Sequence, residues 1–136
     1  MKLGLVGYCV DKFDKDIAKS LLHLAFQVVE SQNDDKDITF VSGLTDIGIL
    51  AIAYKMAEEN GWETVGIACE KYKENPCFDV DEKIIVGDDW GDESKTFLEY
   101  IDVLIRVGGG PQSLEEAKTA KKMGIDVYEY DLPEVE

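Results

Sequence analysis

The stretch Gly108-Gly109-Gly110-Pro111-Gln112-Ser113-Leu114-Glu115-Glu116 decides the fold. It directly follows an apolar run, Ile101–Val107, that is typical of a buried strand. Three successive glycines allow the backbone to turn sharply and to approach a ligand closely. Ser113 and Glu116 have the spacing of a capping box, which predicts a helix over Ser113–Met123. Because a tight turn plus a good helix start would also explain the motif, it is compatible with a purely structural role.

A second turn, Ser42-Gly43-Leu44-Thr45-Asp46-Ile47-Gly48, has the same setting. It follows a short β-rich run, Ile38–Ser42, and precedes a helical pattern over Thr45–Asn60 that ends at Asn60-Gly61. Gly48 lies in the first turn of that helix, where a missing side chain allows close packing. Taken alone, this spacing is equally well explained by an ordinary strand-to-helix turn.

The remaining pattern continues this alternation of strands and helices. Helices are predicted over Asp11–Gln32, with apolar residues at positions 17, 21, 24, 25 and 28, and over Glu93–Tyr100. Residues 70–82 are read as a loop over one end of the sheet, and the tail Asp131–Glu136 as frayed. Further strands are predicted over Lys2–Val10, Trp62–Cys69, Lys83–Gly87 and Ile125–Tyr130.

Strands that alternate with helices, without hairpin turns between them, indicate βαβ units. We therefore expect an α/β fold in a single domain over residues 1–136. It should be a Rossmann-like three-layer sandwich, with a mostly parallel sheet of five to six strands and helices on both faces. At 136 residues, the chain is long enough to bury one core.

Ligands of such sheets lie beyond the carboxyl ends of the strands, where the strand order reverses. Four polar turns should converge there: Tyr8–Asp11, Ser42–Asp46, Asp88–Asp92 and Gly108–Ser113. Tyr8 or Trp90 could stack on a base, although an aromatic residue near a strand end is more often part of the core. The candidate ligand-binding residues are Gly7, Tyr8, Cys9, Ser42, Gly43, Thr45, Asp46, Gly48, Gly108, Gly109, Gly110, Pro111, Gln112, Ser113 and Glu116.

The formal net charge of −15 argues against nucleic acid and against an anionic membrane surface as partners. A small anionic ligand is still compatible, because backbone N–H groups at a helix start can hold phosphate without a lysine. The amino-terminal residues predict a first strand rather than a secretion signal, so we expect a cytoplasmic protein.

No metal site and no cofactor are expected. The three cysteines, Cys9, Cys69 and Cys77, lack metal-type spacing and are interpreted as free thiols. His23 is the only histidine and falls on the polar side of its predicted helix, which indicates a solvent-facing side chain. The aspartates of 88–92 do not have the spacing of a calcium loop.

Together, the two glycine turns resemble those of the SLOG superfamily of Rossmann-like domains, which includes the Lonely-Guy phosphoribohydrolases. The Lonely-Guy pattern is Gly-Gly-x-Gly-Thr-x-x-Glu. Gly109, Gly110 and Glu116 match it in position, Ser113 replaces its threonine, and Gln112 stands where its third glycine belongs. The earlier glycine turn of the family is represented by residues 42–48.

This resemblance implies a nucleotide or nucleoside phosphate bound across the two turns. The phosphate would lie on the N–H groups of Gly109–Ser113, and Glu116 would lie near the ribose. The family also implies a homodimer or a larger homo-oligomer. In the hydrolase branch of the family, an arginine assists catalysis from the helix that precedes the strand corresponding to Ile101–Val107. Here that helix region, residues 92–99, contains only Lys95 as a cation. Arg106, the only arginine, lies within a strand as a ligand contact or an ion-pair partner.

Three functions follow, of which the first is favoured by the missing arginine and by Gln112. The first hypothesis is that the chain is a nucleotide-binding domain that acts as a sensor, carrier or scavenger. Alternatively, it is a phosphoribohydrolase that cleaves the N-glycosidic bond of a nucleoside monophosphate, with Glu116 or Glu115 as the catalytic carboxylate. The third hypothesis is an interaction domain that binds no ligand.

Overall fold

The computed structural model describes residues 1–8, 12–33 and 37–134. The strands are β1 (Lys2–Gly7), β2 (Thr39–Ser42), β3 (Glu63–Ala68), β4 (Glu82–Ile85), β5 (Val103–Val107) and β6 (Asp126–Tyr130). The helices are α1 (Lys15–Gln32), α2 (Gly48–Glu59), α3 (Ser94–Tyr100) and α4 (Pro111–Lys122), and a short 3-10 helix spans Glu70–Glu74.

The six strands form one sheet in the order β4-β3-β2-β1-β5-β6, and every neighbouring pair is parallel. The chain builds outward from β1 to β4 and then crosses back to place β5 on the other side of β1. The strand order therefore reverses between β1 and β5, which is where ligands of open α/β sheets bind.

The core has two layers, one on each face of the sheet. On one face, α1 and α2 cover Leu3, Leu5 and Phe40. On the other, α3 and α4 cover Val41, Ile67 and other residues of the same strands. Strands covered on both faces need continuous apolar runs, and β5 is buried along its whole length. The predicted three-layer α/β sandwich is confirmed.

The predicted capping box on α4 is wrong. The helix begins two residues earlier than expected, at Pro111, with Gly110 as its N-cap residue and no capping side chain. Proline suits this first position because its missing N–H would have no partner within the helix. The Ser113 hydroxyl donates instead to the carbonyl oxygen of Gly7, and Glu116 accepts from Ser94. Tertiary contacts thus take both groups that local spacing assigned to a cap.

The predicted first helix is present as α1, but its apolar pattern does not by itself show which side faces the sheet. The helix buries Ala18, Leu22, Ala25, Phe26 and Val29 against the sheet, and Asp14 caps its first turn by accepting from the N–H groups of residues 16 and 17. Of the apolar positions that indicated the helix in sequence, 17, 21, 24, 25 and 28, only position 25 is among these buried residues. This helix carries two adjacent apolar stripes, and the sheet takes the one with Phe26, which packs on Phe40. His23 is exposed, as predicted.

The tail and the loop 70–82 are more structured than the sequence indicates. Leu132 is buried, and its carbonyl oxygen accepts a hydrogen bond from the Tyr8 hydroxyl at 2.8 Å. Residues 135–136 lie outside the described residues. Within the loop, Cys77 forms an isolated antiparallel bridge with Thr45, and Phe78 stacks on Tyr54. These segments are held by contacts distant in sequence, which local patterns do not reveal.

Candidate functional site

A cavity of about 360 Å³ opens at the carboxyl ends of β1, β2 and β5, at the point where the strand order reverses. Its volume lies within the range of small-molecule sites. The lining residues are Leu5, Val6, Gly7, Tyr8, Ser42, Gly43, Thr45, Leu50, Ile67, Trp90, Glu93, Phe97, Gly110, Pro111, Gln112, Ser113, Glu116 and Glu134.

The ends of β1, β2 and β5 are held together by the pairing of β1 with β5 and by the hydroxyl groups of Ser42 and Ser113. Gly7 pairs with Val107 across β1 and β5, so both strands end level at the cavity floor. The Ser42 hydroxyl donates to the Leu5 carbonyl oxygen at 2.8 Å and ties β2 to β1. Ser113 ties α4 to the end of β1 through the Gly7 carbonyl oxygen at 3.2 Å. Both serines are buried, so they form part of the framework that shapes the site.

Glycine is required at two positions of the turn after β5. Gly108 and Gly109 have φ values of 61° and 104°, which side chains rarely adopt. A Cβ on Gly109 would lie 2.6 Å from the Cβ of Ser113, and a Cβ on Gly108 would lie 2.4 Å from the Tyr8 ring. Gly110 differs, because an added Cβ would meet nothing within 4 Å. The first two glycines therefore serve the fold, and only Gly110 lies open at the cavity.

Arg106 stabilises the turn after β5 through a hydrogen bond to its backbone. Its guanidinium pairs with Glu129 at 2.8 Å and with Asp131 at 2.9 Å, and it donates to the Gly108 carbonyl oxygen at 2.9 Å. The side chain is 6% exposed and does not line the cavity. Of the two roles the sequence left open, the ion pair is the one observed. Arg106 acts on the site by fixing the backbone of Gly108.

The turn 42–48 is anchored by Tyr54. Its buried hydroxyl accepts from the Leu44 N–H and donates to the Val65 carbonyl oxygen, both at 3.0 Å. Leu44 has a φ of 75°, which is costly for a branched side chain and needs such support. Gly43 and Thr45 consequently line the cavity in a fixed conformation.

Glu116 lines the cavity and has a strongly raised pKa. Burial raises its pKa from 4.5 to about 7, and the nearby Glu93 carboxylate acts in the same direction. The Ser94 hydroxyl, which donates to Glu116 at 3.1 Å, opposes this rise. Near neutral pH the carboxyl group is therefore present both with and without its proton, which suits general acid–base chemistry as well as hydrogen bonding to a ligand.

Trp90 stands at the cavity from the loop between β4 and α3. The side chain is 46% exposed. Its loop is held by Asp92, which accepts from the N–H groups of Asp88 and Asp89, and by an ion pair between Lys71 and Asp89 at 2.9 Å. The Tyr8 ring instead stacks on Phe13, with the ring centroids 6.0 Å apart. Trp90 is thus the better placed of the two aromatic residues to cover a planar ligand.

Ten of the predicted site residues line the cavity, and five described ones do not. Asp46, Gly48, Gly108 and Gly109 belong to the two turns but do not line the cavity, and Glu115 lines a second cavity between α3 and α4. Cys9 lies outside the described residues. Sequence reasoning missed Glu93 and Glu134, because neither belongs to a motif. It also missed the apolar walls of Leu5, Val6, Leu50, Ile67 and Phe97, which look like ordinary core residues in sequence.

Among residues 1–8, 12–33 and 37–134, no group of histidine, cysteine and acidic side chains is arranged to hold a metal ion. Cys69 is buried and Cys77 is exposed, and neither forms a disulfide. No helix in these ranges is both long and apolar enough to cross a bilayer.

The arrangement combines an apolar cleft with three carboxylates and a helix start. None of the described lining residues is a lysine or arginine, whereas Glu93, Glu116 and Glu134 are all acidic. Positive potential comes from helix starts at this edge, above all from the amino terminus of α4, which has no capping side chain. The site is therefore built for a largely apolar ligand with a group for the helix start, and it disfavours a high negative charge.

No family model matches the chain, and no curated protein matches it. Solved structures do. The molybdenum cofactor carrier protein from Chlamydomonas reinhardtii superposes with a TM-score of 0.74 at 22% identity, covering 94% of this chain and 74% of that one. A second structure of this carrier gives 0.70, also at 22%, with 95% and 75% covered. TM1055, a structural-genomics target, gives 0.72 at 21% identity, with 93% and 71% covered.

At this level of identity the likeness establishes the fold and leaves the ligand open. The superposition with the carrier protein covers 94% of this chain. The predicted Rossmann-like fold is thereby confirmed, since the chain shares its three-layer α/β architecture with these structures.

Proposed function

We propose that residues 1–136 form one ligand-binding domain that holds a nucleotide, or a nucleotide-like molecule with a planar ring and a phosphate, without converting it. The observation that carries this proposal is the cavity at the reversal of strand order, with the uncapped start of α4 on one side and apolar walls on the other. A carrier role is favoured by the similarity to the molybdenum cofactor carrier protein.

Within this site, the phosphate would lie against the N–H groups that follow Gly110. The ring would occupy the apolar part of the cleft beneath Trp90, and Glu116 would receive or donate a hydrogen bond at a polar edge of the ligand. Because three carboxylates line the cavity, each additional phosphate charge costs binding energy. We therefore expect monophosphates and cyclic nucleotides to bind better than triphosphates.

Binding can be tested by following the unfolding temperature of the chain with adenosine, guanosine and cytidine monophosphates, their cyclic forms and their triphosphates. A ligand at 100 times its dissociation constant stabilises the folded state by about 2.7 kcal/mol. The molybdenum cofactor belongs in the same panel. A stabilising compound supports the proposal, and an unchanged unfolding temperature across the whole panel would overturn it and favour an interaction domain.

The variant Gly110→Asp locates the phosphate. Aspartate is a preferred N-cap residue, so its carboxylate should satisfy the first N–H groups of α4 and leave the fold at least as stable. The same carboxylate would occupy the place of the phosphate, and nucleotide stabilisation should disappear. Leu114→Asp is the matched control, since it adds the same charge one turn further along the helix at a side chain that is 50% exposed.

Hydrolysis of the N-glycosidic bond is the second candidate, and Glu116 with a pKa of about 7 favours it. An arginine that could assist the leaving group does not line the cavity, because Arg106 is occupied by Glu129 and Asp131. Incubating the chain with a stabilising monophosphate and measuring free base separates the two functions. Release of base that is lost in Glu116→Gln but kept in Glu115→Gln would establish the hydrolase and displace the binding proposal.

A further inference from the structure

The hydroxyl groups of the ligand cavity donate their protons to the protein backbone. Four of the described lining residues carry a hydroxyl, and each donates to a main-chain carbonyl oxygen: Tyr8, Ser42, Thr45 and Ser113. A hydroxyl has a single proton, so its oxygen can then only accept from a ligand. Three carboxylates share the same wall, and an ionised carboxylate also only accepts. The side chains around the cavity are therefore rich in acceptors and poor in donors.

Few side-chain N–H groups are left to offset this. Among the described lining residues they belong to Trp90 and Gln112, which are both exposed. Glu116 can donate in its protonated form alone, since burial raises its pKa to about 7. The backbone N–H groups at the start of α4 are assigned to the phosphate in the proposed function. The ring of a bound nucleotide consequently faces acceptors, and it gains hydrogen bonds where its own edge carries N–H groups.

Glu93 is the carboxylate best placed to bind such an edge. It lies three residues after Trp90, in the turn that leads into α3, and both side chains line the cavity. The Gly91 N–H donates to its Oε2 at 3.0 Å, which fixes the carboxylate relative to this turn, and no other described residue donates to it. A ring that stacks on Trp90 therefore has the half-buried carboxylate of Glu93 within reach of its edge.

The other two carboxylates suit this task less well. Glu116 already accepts from the Ser94 hydroxyl through Oε2. With a pKa of about 7, it also carries a proton in many molecules near neutral pH, and that proton would oppose an N–H group of the ligand. Glu134 is exposed and follows β6, whereas Trp90 follows β4 at the opposite edge of the sheet. Glu93 is thus the acceptor that stands beside the stacking residue.

An ionised carboxylate pairs best with two adjacent N–H donors, one for each oxygen. Among the common nucleotide bases, guanine alone presents such a pair, with N1–H beside the 2-amino group. Adenine and cytosine place a bare ring nitrogen beside their amino group, and uracil places a carbonyl oxygen on each side of its N–H. A bare nitrogen or a carbonyl oxygen would face the carboxylate with a second acceptor, which is unfavourable.

Building on the binding function proposed above, we propose that the site selects guanine nucleotides. Glu93 is the residue that determines this specificity, because its two oxygens accept from N1–H and from the 2-amino group while the ring stacks on Trp90. The proposal names the base, which the proposed function leaves open, and it assigns a role to a lining carboxylate that belongs to no sequence motif.

Isothermal titration calorimetry of the full chain with guanosine and inosine monophosphates tests the base, since these two differ only in the 2-amino group. Guanosine monophosphate should bind at least about tenfold more tightly, because it makes one more hydrogen bond to a charged group. Adenosine monophosphate should be the weakest of the three. If the guanosine and inosine compounds bind alike, this inference is wrong and the binding function stands. If no monophosphate binds, the binding function fails and the inference fails with it.

The variant Glu93→Gln tests the residue. Glutamine keeps an oxygen that can accept from the Gly91 N–H, but its own N–H group would oppose the donor pair of guanine. The preference for guanosine over inosine monophosphate should therefore be lost. Glu134→Gln is the matched control, because it removes the same charge from the same cavity. It should raise the affinity for both nucleotides alike and keep their ratio.

A preference that survives in Glu93→Gln, or that both variants lose equally, would overturn the role of Glu93. The unfolding temperature of each variant, measured without nucleotide, verifies that the turn before α3 and the rest of the chain are still folded.

Discussion

The substitution Glu116→Gln should make the stability of this chain less dependent on pH, and the size of the change follows from the structure. Glutamine has nearly the same shape as glutamate and can still accept the hydrogen bond from Ser94. It removes only the charge. In the wild-type chain, burial raises the pKa of the Glu116 carboxyl group from 4.5 to about 7.

Between these two pH values the folded state binds a proton that the unfolded state has released. The stability contributed by this group is therefore greatest at low pH and falls as the pH rises from the unfolded toward the folded pKa. Between about pH 5.5 and 8.5, the expected loss in the wild type is about 2 kcal/mol, at 1.36 kcal/mol per pKa unit and allowing for partial ionisation at both ends. The variant lacks this loss.

Urea unfolding of both chains at several pH values in this range measures the difference directly. We expect the free energy of unfolding of Glu116→Gln, relative to the wild type, to grow by about 2 kcal/mol from the lowest to the highest pH. Glu115→Gln, on the neighbouring exposed residue, should show no such growth. A difference for Glu116→Gln that stays constant within about 0.5 kcal/mol would refute the raised pKa and with it the acid–base role of this carboxyl group.

Two other predictions concern the glycine turns, both measured as the free energy of unfolding. Tyr54→Phe leaves the N–H of Leu44 buried without its partner and should cost about 2–4 kcal/mol; a loss below about 0.5 kcal/mol would show that the turn 42–48 is held by other contacts. Gly109→Ala, where φ is 104°, should cost about 2 kcal/mol or more, whereas Gly110→Ala should cost less than half as much. Equal losses for the two alanine variants would contradict the division of roles within the glycine turn.

The sheet and its order of elements could be predicted from local patterns, because each βαβ unit leaves its own signature in sequence. Buried parallel strands read as apolar runs, and Gly or Asn marks the helix ends. The glycine turns also indicated where the ligand site lies, since the carboxyl ends of parallel strands share one edge. The structure places the cavity at that edge. Its ligand stays a prediction.

The wrong predictions share one physical cause, the replacement of a local partner by a distant one. Ser113 and Glu116 have capping spacing, yet Ser113 bonds to Gly7 and Glu116 to Ser94, because the turn brings those groups closer. The tail reads as frayed, yet its Leu132 carbonyl oxygen is held by Tyr8.

The sequence by itself determined the fold class and the position of the two glycine turns, because both depend on short-range periodicity and on backbone freedom at single residues. Only the tertiary structure decided which glycines of the turn after β5 serve the fold and which one of them faces the cavity, since that depends on what an added Cβ would meet. Only it separated the two apolar stripes of α1, because both have a helical period and one sheet can cover just one of them. The raised pKa of Glu116 is likewise a property of burial, which no spacing of residues in sequence reveals.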